Sequence, residues 1–161
     1  MRWLNIMMGV VMAILVALSS VEAAEVDGFR GLRWGTRLET LNSTEFVRVP
    51  SFKGIAPGTE SYRRTGDELV VAGMPVEQIN YNFRKGELIS VNIDFRAFYT
   101  HERFLSYCKE LFGPPTASMI KNMEYFTTFE SPRTGALLYL QLTTPIYSDG
   151  KLFLYSRESM D

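Results

Sequence analysis

Apolar and polar side chains alternate most regularly between residues 76 and 95. Ile79, Tyr81 and Phe83 fall on one side of residues 76–83, and residues 87–95 repeat the pattern after the turn Arg84-Lys85-Gly86. Period-two alternation on both arms of a glycine-containing turn predicts a β-hairpin in an antiparallel sheet with one buried face. Shorter patterns predict strands over residues 60–64, 68–72, 123–129, 136–143 and 151–157, with a tight turn at Asp149-Gly150 before the last.

Two segments carry the signals of helices. The apolar residues Phe104, Leu105, Cys108, Leu111 and Phe112 recur at helical spacing, which predicts a helix from Thr100 to the stop at Gly113-Pro114. Thr36 and Glu39 have the spacing of a capping box, which predicts a short helix that fades near Ser43. Residues 50–58 and 113–122 are expected to be loops.

The order of elements, a helix followed by strands, occurs twice. Aligning Thr36 with Thr100 also aligns Pro50 with Pro114 and Gly86 with Gly150. We therefore expect an α+β fold, an antiparallel sheet with two helices on one face. A tandem helix-plus-strands repeat is a hypothesis that this alignment raises.

Residues 1–23 have the layout of a secretory signal peptide. Arg2 is followed by an apolar run over residues 6–18 and by small residues up to Ala23. The run is too short for a bilayer core of about 30 Å, so we expect cleavage before Ala24, with an uncleaved anchor as the alternative. One domain, residues 24–161, would then be periplasmic or secreted, and would meet a membrane only through the signal segment before cleavage.

Composition and charge narrow the function classes. A net charge of −1 lacks the basic excess with which proteins bind nucleic acid. Cys108 is the only cysteine, so no internal disulfide can form, and its place in the apolar stripe predicts a buried, inert thiol. His101, the only histidine, is expected on the solvated surface of the second helix. One histidine and one cysteine cannot build a zinc site, and no nucleophile elbow or phosphate loop occurs, so we expect no metal, no cofactor and no catalysis.

Carboxylates provide the one catalytic alternative. Asp94 lies on the polar face of the main hairpin, and Glu77 could neighbour it on the same sheet. A glycosidase needs two such groups across a cleft. Nothing in the sequence places them there, so solvated carboxylates are expected.

Apolar residues in the predicted loops are the candidate partner-binding residues. They are Phe52, Ile55, Met119 and Ile120, and the two loops correspond in the alignment above. Exposed apolar area marks binding more often than catalysis. The leading expectation is a non-catalytic exported domain that binds an envelope protein or wall component. An envelope hydrolase using carboxylates and a structural or assembly subunit with an exposed sheet edge are the alternatives.

Short motifs over most of residues 24–161 carry a resemblance. Phe29-x-Gly-x-x-Trp34-Gly-Thr36 and Tyr81-x-Phe83-x-x-Gly86-x-Leu88 resemble a group of small exported bacterial proteins of uncharacterised function. The resemblance implies export and transfers no catalytic residue. At the level of fold, the expected helix-plus-hairpin duplication is similar to that of the β-lactamase-inhibitor-protein-like domains, which bind other proteins in bacterial envelopes. A resemblance of fold alone does not transfer that role.

Overall fold

The computed structural model describes residues 26–51, 56–96, 98–142 and 148–159. The predicted signal peptide lies outside these residues. Within them the chain is mostly β-strand, with a single α-helix, α1 (Phe98–Phe112), and short 3-10 turns at Leu38–Thr40 and Arg157–Ser159. The strands are β1 (Gly28–Phe29), β2 (Leu32–Arg33), β3 (Phe46–Val49), β4 (Thr59–Arg64), β5 (Val70–Val71), β6 (Met74–Pro75), β7 (Gln78–Arg84), β8 (Glu87–Arg96), β9 (Ala117–Lys121), β10 (Glu124–Glu130), β11 (Thr134–Leu142) and β12 (Ser148–Ser156).

Eight of these strands form one antiparallel sheet in the order β3-β4-β7-β8-β12-β11-β10-β9. We call β3, β4, β7 and β8 the first half and β9 to β12 the second half. Within each half the strands pair in chain order, except that the small β5–β6 hairpin is inserted between β4 and β7. The halves join where β8 pairs with β12, with Ile93 opposite Leu152. Consequently β3 and β9 are the two edges of the sheet.

The main hairpin and the main helix are confirmed. β7 and β8 pair through a two-residue turn, in which Lys85 and Gly86 have φ angles of 52° and 79°. That left-handed conformation suits glycine, which has no Cβ to clash. Helix α1 ends just before Gly113, whose φ of 82° terminates it.

The expected α+β fold with two helices on one face of the sheet is wrong: the fold is β-rich and has one helix among the described residues. At the predicted first helix only the 3-10 turn Leu38–Thr40 forms, without a side-chain cap. Its flanks pair with another segment instead, because Gly35 N–H donates to Leu88 O and Leu88 N–H donates to Thr36 O, at 2.8 and 2.9 Å. A short helix is marginal by itself, and this pairing outweighs its local preference.

Two further expectations fail with it. Asp149 and Gly150 lie inside β12 rather than in a turn. The alignment of Gly86 with Gly150 therefore matches a turn residue to a strand residue. For this reason the helix-plus-strands repeat is not formed. A Cβ on Gly150 would come within 2.1 Å of the Phe95 ring, so glycine is present there because an aromatic ring packs on its backbone. The predicted loop over residues 113–122 contains β9.

The N-terminal hairpin, rather than a helix, covers the first half. Phe29 packs with its ring centroid 6.1 Å from that of Tyr81. The guanidinium of Arg30 donates to Asp67 and to the carbonyl oxygens of Glu68 and Val70, and Tyr81 Oη donates to the same Asp67 carboxylate at 2.7 Å. These bonds fasten the hairpin and the β4–β7 connection to each other over the core.

Helix α1 covers the second half, where it packs against β10, β11 and β12. Phe104 and Cys108 of this helix are fully buried against the sheet. The Phe104 ring lies 4.8 Å from Phe95 of β8, so the helix also bridges the junction of the halves. Burying such an apolar stripe supplies most of a helix's stability in a protein.

Candidate functional site

The sheet has two unlike faces. Helix α1 and the N-terminal hairpin pack on the face that bears Tyr81, Val91, Leu138 and Leu152. Alternate residues of the same strands project from the opposite side, which we call the open face. Strand register places one continuous surface of eight strands there, and its composition changes from one half to the other.

Buried amides and hydroxyls occupy the first half of the open face. Asn82 is fully buried and takes part in three side-chain hydrogen bonds. It accepts from Ser61 Oγ at 2.7 Å and donates to Asn92 Oδ1 and Ser90 Oγ at 2.9 and 3.1 Å. Such a network satisfies its own polar groups and stabilises one arrangement of the strands.

A separate chain of hydrogen bonds crosses the same face from β4 to the middle of the sheet. Arg63 Nε donates to Asn80 Oδ1 at 3.2 Å, and the Arg63 guanidinium also donates to Gln78. The Gln78 amide donates to Asp94, which also accepts from Lys151 Nζ at 2.7 Å. Asp94 and Lys151 lie opposite each other on β8 and β12, so this ion pair joins the two halves.

Aromatic rings occupy the second half of the open face. Phe126 and Tyr139 lie opposite each other with centroids 5.0 Å apart, and Phe153 and Tyr155 lie 5.6 Å apart. The Tyr155 ring covers Gly135, where an added Cβ would come within 2.1 Å of it. All four rings are half-buried, so their faces remain accessible.

A groove with a volume of about 640 Å³ lies where the polar and aromatic regions meet. Concave sites of this size, apolar with a few polar groups, are where proteins bind ligands. Asn92 is 3% exposed and lines the groove, and its Oδ1 accepts from Asn82 at 2.9 Å. Other lining residues are Glu77, Asp94, Phe126, Tyr139, Asp149 and Phe153.

The groove brings together the carboxylates that the sequence could not place. Asp94 and Glu77 both line it, with Asp149 beside them. The Asp94 side chain is only 15% exposed and is bound to Lys151, so the expectation of a solvated carboxylate is wrong there. Arg96 Nε lies 2.9 Å from Glu77 and 3.6 Å from Asp149. All three carboxylates are therefore in ion pairs.

Tyr139 has a fixed hydroxyl within the groove. It donates to Glu124 Oε1 at 2.8 Å. Burial and this hydrogen bond raise the pKa of Tyr139 to about 12. The phenol therefore stays protonated at neutral pH and presents a neutral ring.

The predicted partner-binding residues separate into two groups. Phe52 and Ile55 lie outside the described residues. Met119 and Ile120 lie on β9, the edge strand, where they are 54% and 69% exposed. Met119 is opposite Phe126 and so is on the open face, whereas Ile120 is on the covered side.

The turn after β9 differs from the other tight turns. Among the described residues, four antiparallel hairpins close through two residues that both have positive φ. The second turn residue is glycine in the first three: Gly31, Gly73 and Gly86. In the fourth it is Met123, with φ 65° and 59% of its area exposed. A bulky apolar side chain therefore occupies a position that costs it backbone strain and gains it no burial.

His101 and Cys108 both belong to α1 and are buried on its inner face. Cys108 is confirmed as buried, and burial raises its pKa to about 12, which keeps the thiol unreactive. The expectation of a solvated His101 is wrong, because the residue is 4% exposed and its ring lies 6.4 Å from that of Tyr125. Burial lowers the pKa of His101, against an opposing effect of Glu102 at 3.6 Å.

Tyr125, Phe126 and Phe129 lie within one strand and cannot all face the same side, so the sequence predicts some exposed aromatic area on the second half. It does not predict the groove, although a further signal was present. Leu137 and Tyr139 in β11, and Phe153 and Tyr155 in β12, occupy the alternate positions that face away from the core. A strand with a solvated outer face has polar residues at these positions. Apolar residues on both faces of two adjacent strands therefore mark a second surface with its own role.

Comparison of the chain with protein-family models, with curated proteins and with solved structures finds no match. The resemblance to small exported bacterial proteins stays a prediction. Within the part of the chain that the structure covers, no helix has both the length and the apolar character to span a membrane. Inferences about function therefore rest on the edge strand, the groove and their chemistry.

Proposed function

We propose that the chain is a non-catalytic exported domain that binds a partner protein by pairing an extended segment of that partner with β9. The supporting observation is the exposure of β9: all five residues are exposed, and no strand pairs with its outer side within the described residues. Exposed backbone N–H and C=O groups on an edge strand are a template for a further strand. Export itself is a prediction from residues 1–23.

By comparison, the opposite edge strand, β3, is protected against pairing with a further strand. Arg48 projects from β3 and forms an ion pair with Glu60 at 2.7 Å, and Pro50 follows the strand. Charged side chains and proline are the usual means of preventing edge pairing. In β9 the only charged residue is Lys121 at the end, while Met119 and Ile120 give both sides of the strand an apolar rim.

Met123 extends this rim, which we call the edge surface: Met119, Ile120 and Met123. A residue that is strained and exposed contributes little to folding, and such local conflicts concentrate at functional positions. The edge surface thus supports recognition of apolar side chains on a partner strand, in addition to its backbone.

The test is affinity capture from an envelope fraction, read by mass spectrometry. The baits are tagged residues 24–161, the double variant Met119→Lys/Ile120→Lys, and Val47→Lys as the matched control. Val47 is 56% exposed on the other edge strand, so all three substitutions add charge to an exposed strand edge. We expect a partner retained by wild type and the control and lost from the double variant. Equal capture by the wild type and the double variant would contradict the proposal.

The alternative is a hydrolase of a wall polymer, favoured by the presence of Glu77, Asp94 and Asp149 in one groove. Turnover of purified wall material by residues 24–161, abolished by Asp94→Asn, would support that alternative.

The third possibility is a structural or assembly subunit, and sedimentation of the purified domain tests it. Self-association removed by Met119→Lys/Ile120→Lys would identify an assembly subunit that pairs through β9 with its own copies.

A further inference from the structure

The charged side chains of the groove are distributed unevenly along it. This observation does not depend on the edge surface. Lys151 Nζ donates to Asp94 Oδ1 at 2.7 Å. Arg96 is shared between Glu77 and Asp149, and its side chain is 63% exposed. One cation facing two carboxylates leaves excess negative charge at this end of the groove, where an added positive group would be favoured.

The middle and far end of the groove have a different character. Phe126, Tyr139 and Phe153 present half-buried rings, which suit flat or weakly polar ligand surfaces. Asn92, 3% exposed, lines the groove with a carboxamide whose Oδ1 accepts from Asn82. The amide N–H groups of an asparagine can donate to a ligand hydroxyl or ring oxygen.

The spacing of these groups sets the length of the ligand. Asn92 and Arg96 are four residues apart on β8, and Asp149 lies opposite Arg96. At about 3.3 Å per strand residue, the amide and the carboxylate end are separated by roughly 13 Å. That distance, with the groove volume of about 640 Å³, corresponds to a ligand larger than a single sugar ring.

We propose that this groove binds a short saccharide chain that bears a protonated amine, that is, an amino-sugar oligomer with free amino groups. The amine pairs with carboxylate oxygens of Glu77 and Asp149 beside the Arg96 guanidinium that bridges them. The apolar faces of the sugar rings pack on Phe126, Tyr139 and Phe153. A hydroxyl or ring oxygen accepts from Asn92 Nδ2. The site requires neither a metal nor a bond-breaking step.

Three disaccharides of matched size test the assignment, by NMR chemical-shift titration of residues 24–161. They are the glucosamine disaccharide, its fully N-acetylated form, and cellobiose. We expect the free-amine sugar to bind about tenfold more tightly than the two neutral sugars, and the difference to shrink as salt is raised. Failure of the free-amine sugar to bind, or equal binding of all three, overturns the proposal.

Substitutions locate the site. Glu77→Gln/Asp149→Asn should reduce the affinity for the glucosamine disaccharide about tenfold and leave that for cellobiose unchanged. Phe126→Leu should weaken all three sugars alike. Glu130→Gln is the control, because Glu130 lies on the same sheet face outside the groove and pairs with Arg157 at 3.7 Å. Loss of binding in the control, or none in the double variant, places the sugar elsewhere.

Discussion

One row of paired residues crosses the open face from the first half to the second. It consists of Ser61 on β4, Asn82 on β7, Ser90 on β8, Tyr155 on β12 and Gly135 on β11. In the first half the buried polar groups bond to one another. In the second half a ring packs over a glycine and keeps its other side accessible.

The difference shows how a single sheet can keep stability and recognition apart. Polar groups that satisfy each other offer a ligand little, because binding would have to replace bonds already made. Binding to half-buried rings or to a strand edge does not have to replace hydrogen bonds that are already made. Both proposed binding surfaces accordingly involve the second half, and the groove reaches the first half only through residues of β8 and the adjacent Glu77.

The junction between the halves should be the most sensitive point. Gly150→Ala places a Cβ 2.1 Å from the Phe95 ring, which is buried against Phe104 and cannot move away. We expect a loss of about 3 kcal/mol in the free energy of unfolding, from denaturant titration. Gly135→Ala is the matched change. It should lower the free energy of unfolding by only about 1 kcal/mol, because the half-exposed Tyr155 ring can move outward. Equal losses would mean that the two glycines have equivalent surroundings.

The polar network should matter to stability and not to binding. Asn82→Ala removes three hydrogen bonds and leaves Ser61 and Asn92 without their buried partner. The expected cost is about 2 kcal/mol, with partner capture unchanged under conditions where the variant is folded. Loss of capture by the folded variant would show that the first half contributes to recognition.

His101 should make the second half sensitive to acid. Burial lowers its pKa below the ordinary value of 6.5, so the unfolded chain binds the proton more tightly than the folded one. Stability that is present above pH 6.5 is therefore lost as the pH falls through that value, by up to about 1 kcal/mol per pH unit. The measurement compares wild type with His101→Gln by denaturant titration, which cancels the carboxylates common to both. Parallel curves below pH 6.5 would exclude this role for His101.

The smallest expected effect concerns the tight turns. Met123→Gly relieves the left-handed strain of the one turn, among the four described above, that lacks glycine at its second position, and should stabilise the domain by about 0.5 kcal/mol. The reverse change in the first half, Gly86→Ala, should destabilise it by about 1 kcal/mol. Thermal unfolding measures both. If Met123→Gly stabilises the domain and capture is undiminished, Met123 does not belong to the edge surface.

Local patterns predicted the parts of the fold that depend on neighbouring residues. The β7–β8 hairpin follows from the alternation around Lys85-Gly86, and α1 from its apolar stripe. The predicted helix at Thr36 fails because its flanks pair with Leu88, which no local pattern records. β9 was missed because its five residues, exposed on both sides, show no alternation.

The candidate site is predictable only in part for the same reason. Met119 and Ile120 were identified as exposed apolar residues, although as part of a loop. The groove depends on the pairing of β8 with β12, which brings Asp94 to Lys151 across 57 residues of sequence. Such contacts are set by tertiary register, and pattern alone does not determine register between distant strands.

Trp34 donates its indole N–H to Thr134 Oγ1 at 2.7 Å, and Thr134 in turn donates to the carbonyl of Val26. These partners are 100 and 108 residues apart, so the start of the domain closes onto a strand that is synthesised near its end. Until β11 is available, Trp34 lacks its hydrogen-bond partner Thr134. The domain can therefore complete its fold only once this strand is present, and a chain truncated before Thr134 should leave Trp34 open to aggregation.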